Sequence, residues 1–381
     1  MKLAVVTETF HPFCGGSAKR YHEVLKRLVR AGYEVTLYTV RLSEDWKEEE
    51  IIDGIKVCRT KQVMSDFITE DGFRRLSKVL LFSLYSRLKV DEKYDVVELN
   101  HCPIIPVLAF WLKSRQPICV TFHEVWDFEW YNYVPKRIYA PIGIALERLY
   151  VRVPDMAVAV SDFTARRLIE ILGVDESRVK VISNGVDLKA FENVHVEKDP
   201  NRIIYVGRLN PHKKVDWLID SLCRLMKEFD DLRLDIVGDG PLRNFYMDYA
   251  RRKGCISRVR FYGKVSDDLL VKLLKRAYVY VLPSIREGQS ITVLEAMAAG
   301  TPQVIVSAVN NGAVNLINGS GSGLIAHPSP SSIAEKVKLL LENRNLWLKL
   351  RSNGLNYAMQ YSWDRTAEEY RRLYENMAVM K

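Results

Sequence analysis

Short apolar runs of strand length alternate with amphipathic helical stretches along nearly the whole chain. The run KLAVVTETF at the start predicts a strand. Ala18–Ala31 follows with apolar positions at Tyr21, Val24, Leu25, Leu28 and Val29, the three-to-four spacing of one helical face, and Gly32 supplies its stop. EVTLYTV (34–40), DVVELN (95–100), PICVTF (117–122), MAVAVS (156–161) and RVKVIS (178–183) read as further strands, with a helix at Phe163–Leu172. Strands apolar on both faces and separated by helices indicate a parallel sheet covered on both sides.

Residues 187–201 are polar and irregular, and the alternation then restarts. Strands are expected at RIIYVGRL (202–209), RLDIVGDG (233–240), RVRFYGKV (258–265), YVYVLP (278–283), PQVIVS (302–307) and GLIAH (323–327). Helices are expected at Val215–Phe229, from Leu242, at Asp267–Arg276 and at Pro330–Glu342. The plain reading is two doubly wound α/β domains joined near 187–201. Ligands of such folds sit at the C-terminal ends of the strands, and with two domains the cleft between them is the expected site. The tail, 362–377, begins with a Ser N-cap and is helical throughout; periodicity does not say which domain it closes.

Composition narrows the class. A chain of 381 residues with 48% hydrophobic content can build two ordinary cores. No run of about 18 uncharged apolar residues is present, and the start has the form of a strand, not of a signal peptide. The six cysteines (14, 58, 102, 119, 223 and 255) show no metal-ligand spacing, and several lie inside apolar strands, so a reduced, cytoplasmic setting is expected. The net charge of +9 is uneven: 27 basic and 25 acidic residues in 1–183 leave +2, and 29 against 22 in the remainder leave +7. No recognition helix, RRM or zinc finger accompanies the excess, which argues against nucleic acid and for phosphorylated substrates or anionic lipid surfaces.

Candidate chemistry concentrates in PSIREGQSITVLEAMAAGTP (283–302). A strand feeds a Gly-containing loop that opens a helix, leaving backbone N–H groups and the positive helix end as an anion site. Glu287 and Glu295 bracket it. Carboxylates repel an anion, so they suit ligand hydroxyls, and a ligand with both phosphate and hydroxyls is a nucleotide sugar. Arg208, just past a strand, and Lys213, just before a helix, can converge on a diphosphate. Gly15-Gly16 precede a helix and allow close backbone approach to a ligand. His123 ends an apolar strand, Asn184-Gly185 forms a turn after another, and Gly238 opens a strand–turn–helix corner suited to a base or ribose. Each residue also has a structural reading as a solvated loop cation, turn glycine or core histidine.

Their order along the chain is more specific than any one of them. Gly-Gly after the first strand, a mid-chain His, SNGVD (183–187), G-R-L-x-P-x-K from Gly207, V-G-D-G-P from Val237 and E-x7-E from Glu287, followed by E-A-M-A-x-G-x-P, together resemble glycosyltransferase family 4. The resemblance covers essentially the whole chain and is strongest from 183 to 302. It implies the GT-B architecture: two Rossmann-like domains facing across a cleft, an acceptor-side domain at 1–186, a donor-binding domain at 187–361, and a final helix, 362–381, crossing back to the first. It implies a retaining transfer of a glucosyl, mannosyl or GlcNAc-type hexose from a nucleotide-diphosphate sugar to a hydroxyl of a glycan or lipid-linked acceptor.

Carried over by motif, Arg208 and Lys213 would grip the diphosphate, Glu295 the ribose and Glu287 the donor sugar. The amides around Gly288, Gln289, Ser290 and Ile291 would meet phosphate and sugar. His123 would lie near the anomeric centre, and Gly15 and Gly16 against the diphosphate. Gly207, Gly238 and Asn184 complete the expected donor site. The expected catalytic set is His123, Arg208, Lys213 and Glu287, with no cofactor and no metal, since the cations take that role.

The chain departs from the family pattern at three places. Ser290 stands where a Gly is usual, Pro211-His212-Lys213-Lys214 where P-E-K-G is usual, and Asn315 where an acidic residue is common. The alternatives are another GT-B enzyme, such as a nucleotide-sugar epimerase, and a non-catalytic nucleotide-sugar binding protein. The aromatic stretch 123–152 reads as an acceptor wall, an interfacial surface for an anionic membrane, or a buried helical segment.

Overall fold

The structure is a computed structural model that describes residues 1–13, 15–69, 73–111, 115–134 and 136–379. Cys14, inside the glycine loop, lies outside the described residues, as do Met380 and Lys381 of the tail. The chain forms two compact units, one of residues 1–184 with 363–381 and one of residues 185–362.

The first unit is built on eight strands: β1 Lys2–Val6, β2 Glu34–Arg41, β3 Glu49–Ile52, β4 Ile55–Val63, β5 Val96–Asn100, β6 Ile118–Phe122, β7 Met156–Ala159 and β8 Val179–Val181. They lie in the order β3-β4-β2-β1-β5-β6-β7-β8, parallel except for the β3–β4 hairpin. Helices cover both faces, which is why Leu3, Ala4 and Val5, consecutive in β1, are all fully buried. The hairpin turns at Asp53-Gly54, both with positive φ. Sequence reading passed over it although Asp-Gly between short apolar runs signals such a turn. It also missed the helices Leu76–Lys89 and Ile104–Trp111, while Ala140–Tyr150 falls in the 123–152 stretch, where a helical segment was one of the readings.

The final helix, Trp363–Val379, packs in this unit against Gly16–Arg30. Its seat is a buried polar network. Glu98 on β5 is fully buried. It accepts hydrogen bonds from Tyr21 Oη (3.0 Å) and Thr121 Oγ1 (2.6 Å) at one oxygen and from Tyr374 Oη (3.1 Å) at the other. Because the Thr121 proton goes to Glu98, the Tyr370 hydroxyl, 2.6 Å from Thr121 Oγ1, must donate there and accept from the Arg20 guanidinium at 3.0 Å. Arg20 in turn donates to Asn184 Oδ1 (2.8 Å) and the Ile182 carbonyl (2.6 Å). Burial pushes the Glu98 carboxyl above its ordinary range, against the pull of the surrounding hydroxyls.

The second unit has six parallel strands in its main sheet: β9 Asp199–Val206, β10 Arg233–Val237, β11 Val259–Gly263, β12 Ala277–Leu282, then, beyond a two-residue strand β13 (Arg286–Glu287), β14 Gln303–Val306 and, beyond β15 (Asn310–Asn311), β16 Gly323–Ala326. Their order is β11-β10-β9-β12-β14-β16. The chain winds outward from β9 in one direction and returns at β12 to wind the other way, so β9 and β12 flank the topological switch point. In the first unit β1 and β5 hold that place. Segment 187–201 is more regular than its polarity suggests. Asp187 caps a short helix, Leu188–Glu192, and β9 begins at Asp199. The helix expected at 163–172 runs Asp162–Glu170 with Ser161 as its N-cap, and the one expected to reach Phe229 ends at Leu225.

Candidate functional site

In the second unit, the loops that leave β9 and β12 meet at the switch point. The Ile285 N–H donates to the carbonyl of His212 (3.0 Å), tying the two loops together. Across that join Lys213 Nζ lies 2.6 Å from Glu287 Oε1, and both side chains are largely buried. β13 pairs with β15, the Gly312 N–H donates to the Glu287 carbonyl (2.7 Å), and the buried Asn311 amide donates to the carbonyls of Ser284 (2.9 Å) and Val306 (2.8 Å). Asn311 is thus the brace of the Glu287 loop. Sequence reading stopped at its neighbour Asn315, which sits in the helix Ala313–Ser320.

The loop is rich in positive charge. The half-buried His212 imidazole is held well below its ordinary range by burial first, and then by Lys213, Arg286, Arg208 and Lys214. Four cations therefore act on one point of the loop, with Glu287 as the carboxylate among them. Lys214 has φ 50°, ψ 43°, the left-handed conformation, at the position where the family pattern carries Gly. Arg208 is exposed.

Glu287 and Ser290 lead into the helix Ile291–Ala298, whose first turn receives no side-chain cap from Ser290. Ser290 adopts an extended backbone, φ −85°, so glycine's freedom is not required there. Its hydroxyl is 3.0 Å from Thr292 Oγ1, which lies 2.7 Å from Tyr280 Oη. Glu295 is buried in the second turn of that helix.

The glycine corner after β10 packs closely against the Arg208 loop. A Cβ on Gly238 (φ 120°) would lie 2.1 Å from the Gly207 carbonyl oxygen, and one on Gly240 would lie 2.7 Å from the Leu209 amide. The Gly207 and Leu209 N–H groups donate to the carbonyls of Val237 and Asp239, both at 3.0 Å. These glycines let the Arg208 loop and the 238–241 turn touch backbone to backbone.

In the first unit, Gly15 is the N-cap of Gly16–Arg30, extended at φ −172°. That helix carries Tyr21 edge-on to His123, ring centroids 6.4 Å apart. His123, after β6, sits 5.5 Å by ring centroid from His101, after β5, whose Nδ1 is 3.4 Å from the His123 N–H. Burial depresses both imidazoles, His101 to about 4 and His123 well below 6.5, so both are neutral at ordinary pH. Their Nε2 atoms are buried and meet no protein partner among the described residues. His101 was missed by sequence reasoning, although it too directly follows an apolar strand. Asn184 is engaged by Arg20 inside this unit. The predicted residues thus fall into two groups: Gly15, Gly16, His123 and Asn184 in the first unit, and Gly207, Arg208, Lys213, Gly238, Glu287–Ile291 and Glu295 in the second.

A doubly wound fold in both units and a switch-point loop of clustered cations beside buried carboxylates define the class as a GT-B glycosyltransferase. Solved structures with this fold include sucrose-phosphate synthase from Thermosynechococcus elongatus (TM-score 0.82, 18% identity, all of both chains) and Anabaena HepE in complex with UDP-glucose (TM-score 0.76, 17% identity, 99% of this chain and 100% of that one). Residues 14–190 match the model of Glycosyltransferase Family 4 and residues 187–357 that of Glycosyl transferases group 1. An uncharacterized glycosyltransferase of Methanocaldococcus jannaschii is 30% identical over 98% of both chains, and a phosphatidyl-myo-inositol mannosyltransferase of Mycobacterium leprae is 29% identical over 78% of both. The chain belongs to glycosyltransferase family 4.

Proposed function

We propose that this glycosyltransferase takes a hexose from a nucleotide-diphosphate sugar and passes it, with retention at the anomeric carbon, to a hydroxyl of a glycan or lipid acceptor. The observation that carries the proposal is the electrostatic composition of the switch-point loop. Arg208, Lys213, Lys214 and Arg286 all act on His212, at the place where parallel α/β folds bind ligands. A diphosphate is the ligand such a loop suits. Glu287 and Glu295 then serve the sugar and ribose hydroxyls, and the amides of Gly288–Ile291 the phosphate. On the family pattern, His123 serves the sugar near its reacting carbon, and Gly15 and Gly16 the diphosphate. The neutral state of His123 suits a site where positive charge grows on the sugar. The mannosyl transfer named for the mycobacterial relative supports a hexose.

In the proposed reaction the bond between the anomeric carbon and the β-phosphate oxygen breaks, and the electron pair leaves with the nucleoside diphosphate. The acceptor oxygen forms its bond to the same face of that carbon, and its proton passes to the leaving phosphate oxygen. Arg208, Lys213 and the 291–298 helix N-terminus stabilise the charge that builds on the diphosphate. No side-chain nucleophile and no metal is assigned, so activity is expected to survive a chelator. Thermal-shift measurement with UDP, GDP and ADP and their hexose conjugates tests the reading. One nucleoside diphosphate raising the midpoint by several degrees supports it, and no shift with any of them overturns it.

A further inference from the structure

The helix Leu76–Lys89 buries Val79 and Phe82 in the core but leaves its leucines outside. Ser83 and Ser86 are buried and turn their hydroxyls back to the carbonyls of Val79 (2.7 Å) and Ser83 (3.1 Å) of the same helix. Leu76, Leu80, Leu81, Leu84 and Leu88 instead face outward, each 44–74% exposed. Four of them, at intervals of four residues, make one continuous stripe. The helix packs beside Ile104–Trp111, and that one beside Ala140–Tyr150, so the three form one layer over the first unit's sheet. The same layer and its approach carry exposed Trp111, Ile138 and Ile142. Eleven of the 21 exposed large apolar residues among the described ones fall between 76 and 142, while those of the second unit are scattered. A soluble surface normally avoids such a concentration.

Charge says what covers it. Residues 74–89 hold five basic and no acidic residues. Glu8 pairs with Arg74, and Asp66 lies beside Arg75 (3.2 Å) and Lys78 (3.6 Å), which together offset part of that excess. Lys89, Lys136 and Arg137, at the ends of the layer's helices, are exposed and form no ion pair with a described residue. In a two-fold contact with a second copy this face would meet its own positive charge. An anionic lipid surface complements it, with leucines entering the headgroup boundary and cations reaching the phosphates. We propose that the face of the Leu76–Lys89 helix, continued by Trp111, Ile138 and Ile142, docks this protein onto an anionic membrane surface. The inference stands apart from the donor reading, and neither falls with the other. It also extends the candidate interface from the 123–152 stretch, which supplies Ile138 and Ile142, to a helix that sequence reading passed over.

The test is co-sedimentation of the full chain with phosphatidylglycerol-containing vesicles and with pure phosphatidylcholine vesicles, at low and high salt. Wild type is expected to pellet with the anionic vesicles and to be released by salt. Leu80→Gln/Leu84→Gln/Leu88→Gln should lose binding by on the order of a hundredfold, while Leu348→Gln, exposed in the second unit, should bind as wild type. If the triple variant does not fold, Leu84→Gln alone gives the same comparison. Failure of wild type to pellet with anionic vesicles overturns the proposal, as does equal binding by the leucine variants. A wild-type dimer that the triple variant dissociates, with no vesicle binding, assigns the face to a second copy instead.

Discussion

Lys213 Nζ sits 2.6 Å from Glu287 Oε1, joining residues 74 positions apart in the chain. The cation expected to grip a diphosphate is therefore already held by the carboxylate expected to read the sugar. A donor that binds here shares the lysine with Glu287, and each side chain fixes the other's position before binding.

Replacing Lys213 or Arg208 by Ala should lower donor hydrolysis and transfer by roughly two orders of magnitude, corresponding to about 3 kcal/mol of lost stabilisation of the leaving diphosphate. Steady-state rates with the donor found by thermal shift measure this. Wild-type rates in both variants would remove the assignment.

Gly238→Ala should be severely destabilising, by more than about 3 kcal/mol, because its Cβ meets the Gly207 carbonyl oxygen in a backbone conformation that side chains rarely adopt. Gly254→Ala, also at positive φ but with nothing within 4 Å, should cost about 1 kcal/mol. Denaturant unfolding of the two variants compares a clash with conformational strain alone.

Tyr370→Phe removes the hydroxyl that links Arg20 to Thr121 and should cost about 1–3 kcal/mol, since a buried guanidinium loses an acceptor. Arg372→Ala, on the exposed side of the same helix, should stay within about 0.5 kcal/mol. Equal midpoints for the two variants would show that the network does not hold the helix.

His101 is depressed to about 4 by burial, with Glu124 and Glu8 pulling the other way and Arg74 adding to the depression. The unfolded chain therefore takes up a proton between about pH 6.5 and 4 that the folded chain refuses. Stability should be full above pH 6.5 and fall as pH drops through that window, by up to about 3 kcal/mol from this residue. His101→Asn, which keeps an acceptor for the His123 N–H, should flatten the pH dependence of the melting temperature. An unchanged slope would exclude His101 as its source.

Alternating apolar runs were enough to find two doubly wound units, because a strand buried on both faces leaves a signal that survives without tertiary knowledge. The E-x7-E and G-R-L-x-P-x-K spacings placed Glu287, Arg208 and Lys213 on loops at strand ends and Glu295 in the helix that follows, and brought the family into view. Tertiary structure alone decided what depends on residues distant in the chain. It paired Lys213 with Glu287, made Asn311 a brace, set His101 beside His123 and seated the final helix on Glu98 through Tyr370 and Tyr374. It also showed that Gly238 brings two loops into backbone contact. The Leu76–Lys89 helix shows the physical limit most clearly. Apolar residues lie all around it, and only the inward packing of Val79, Phe82, Ser83 and Ser86 shows that the leucines face out.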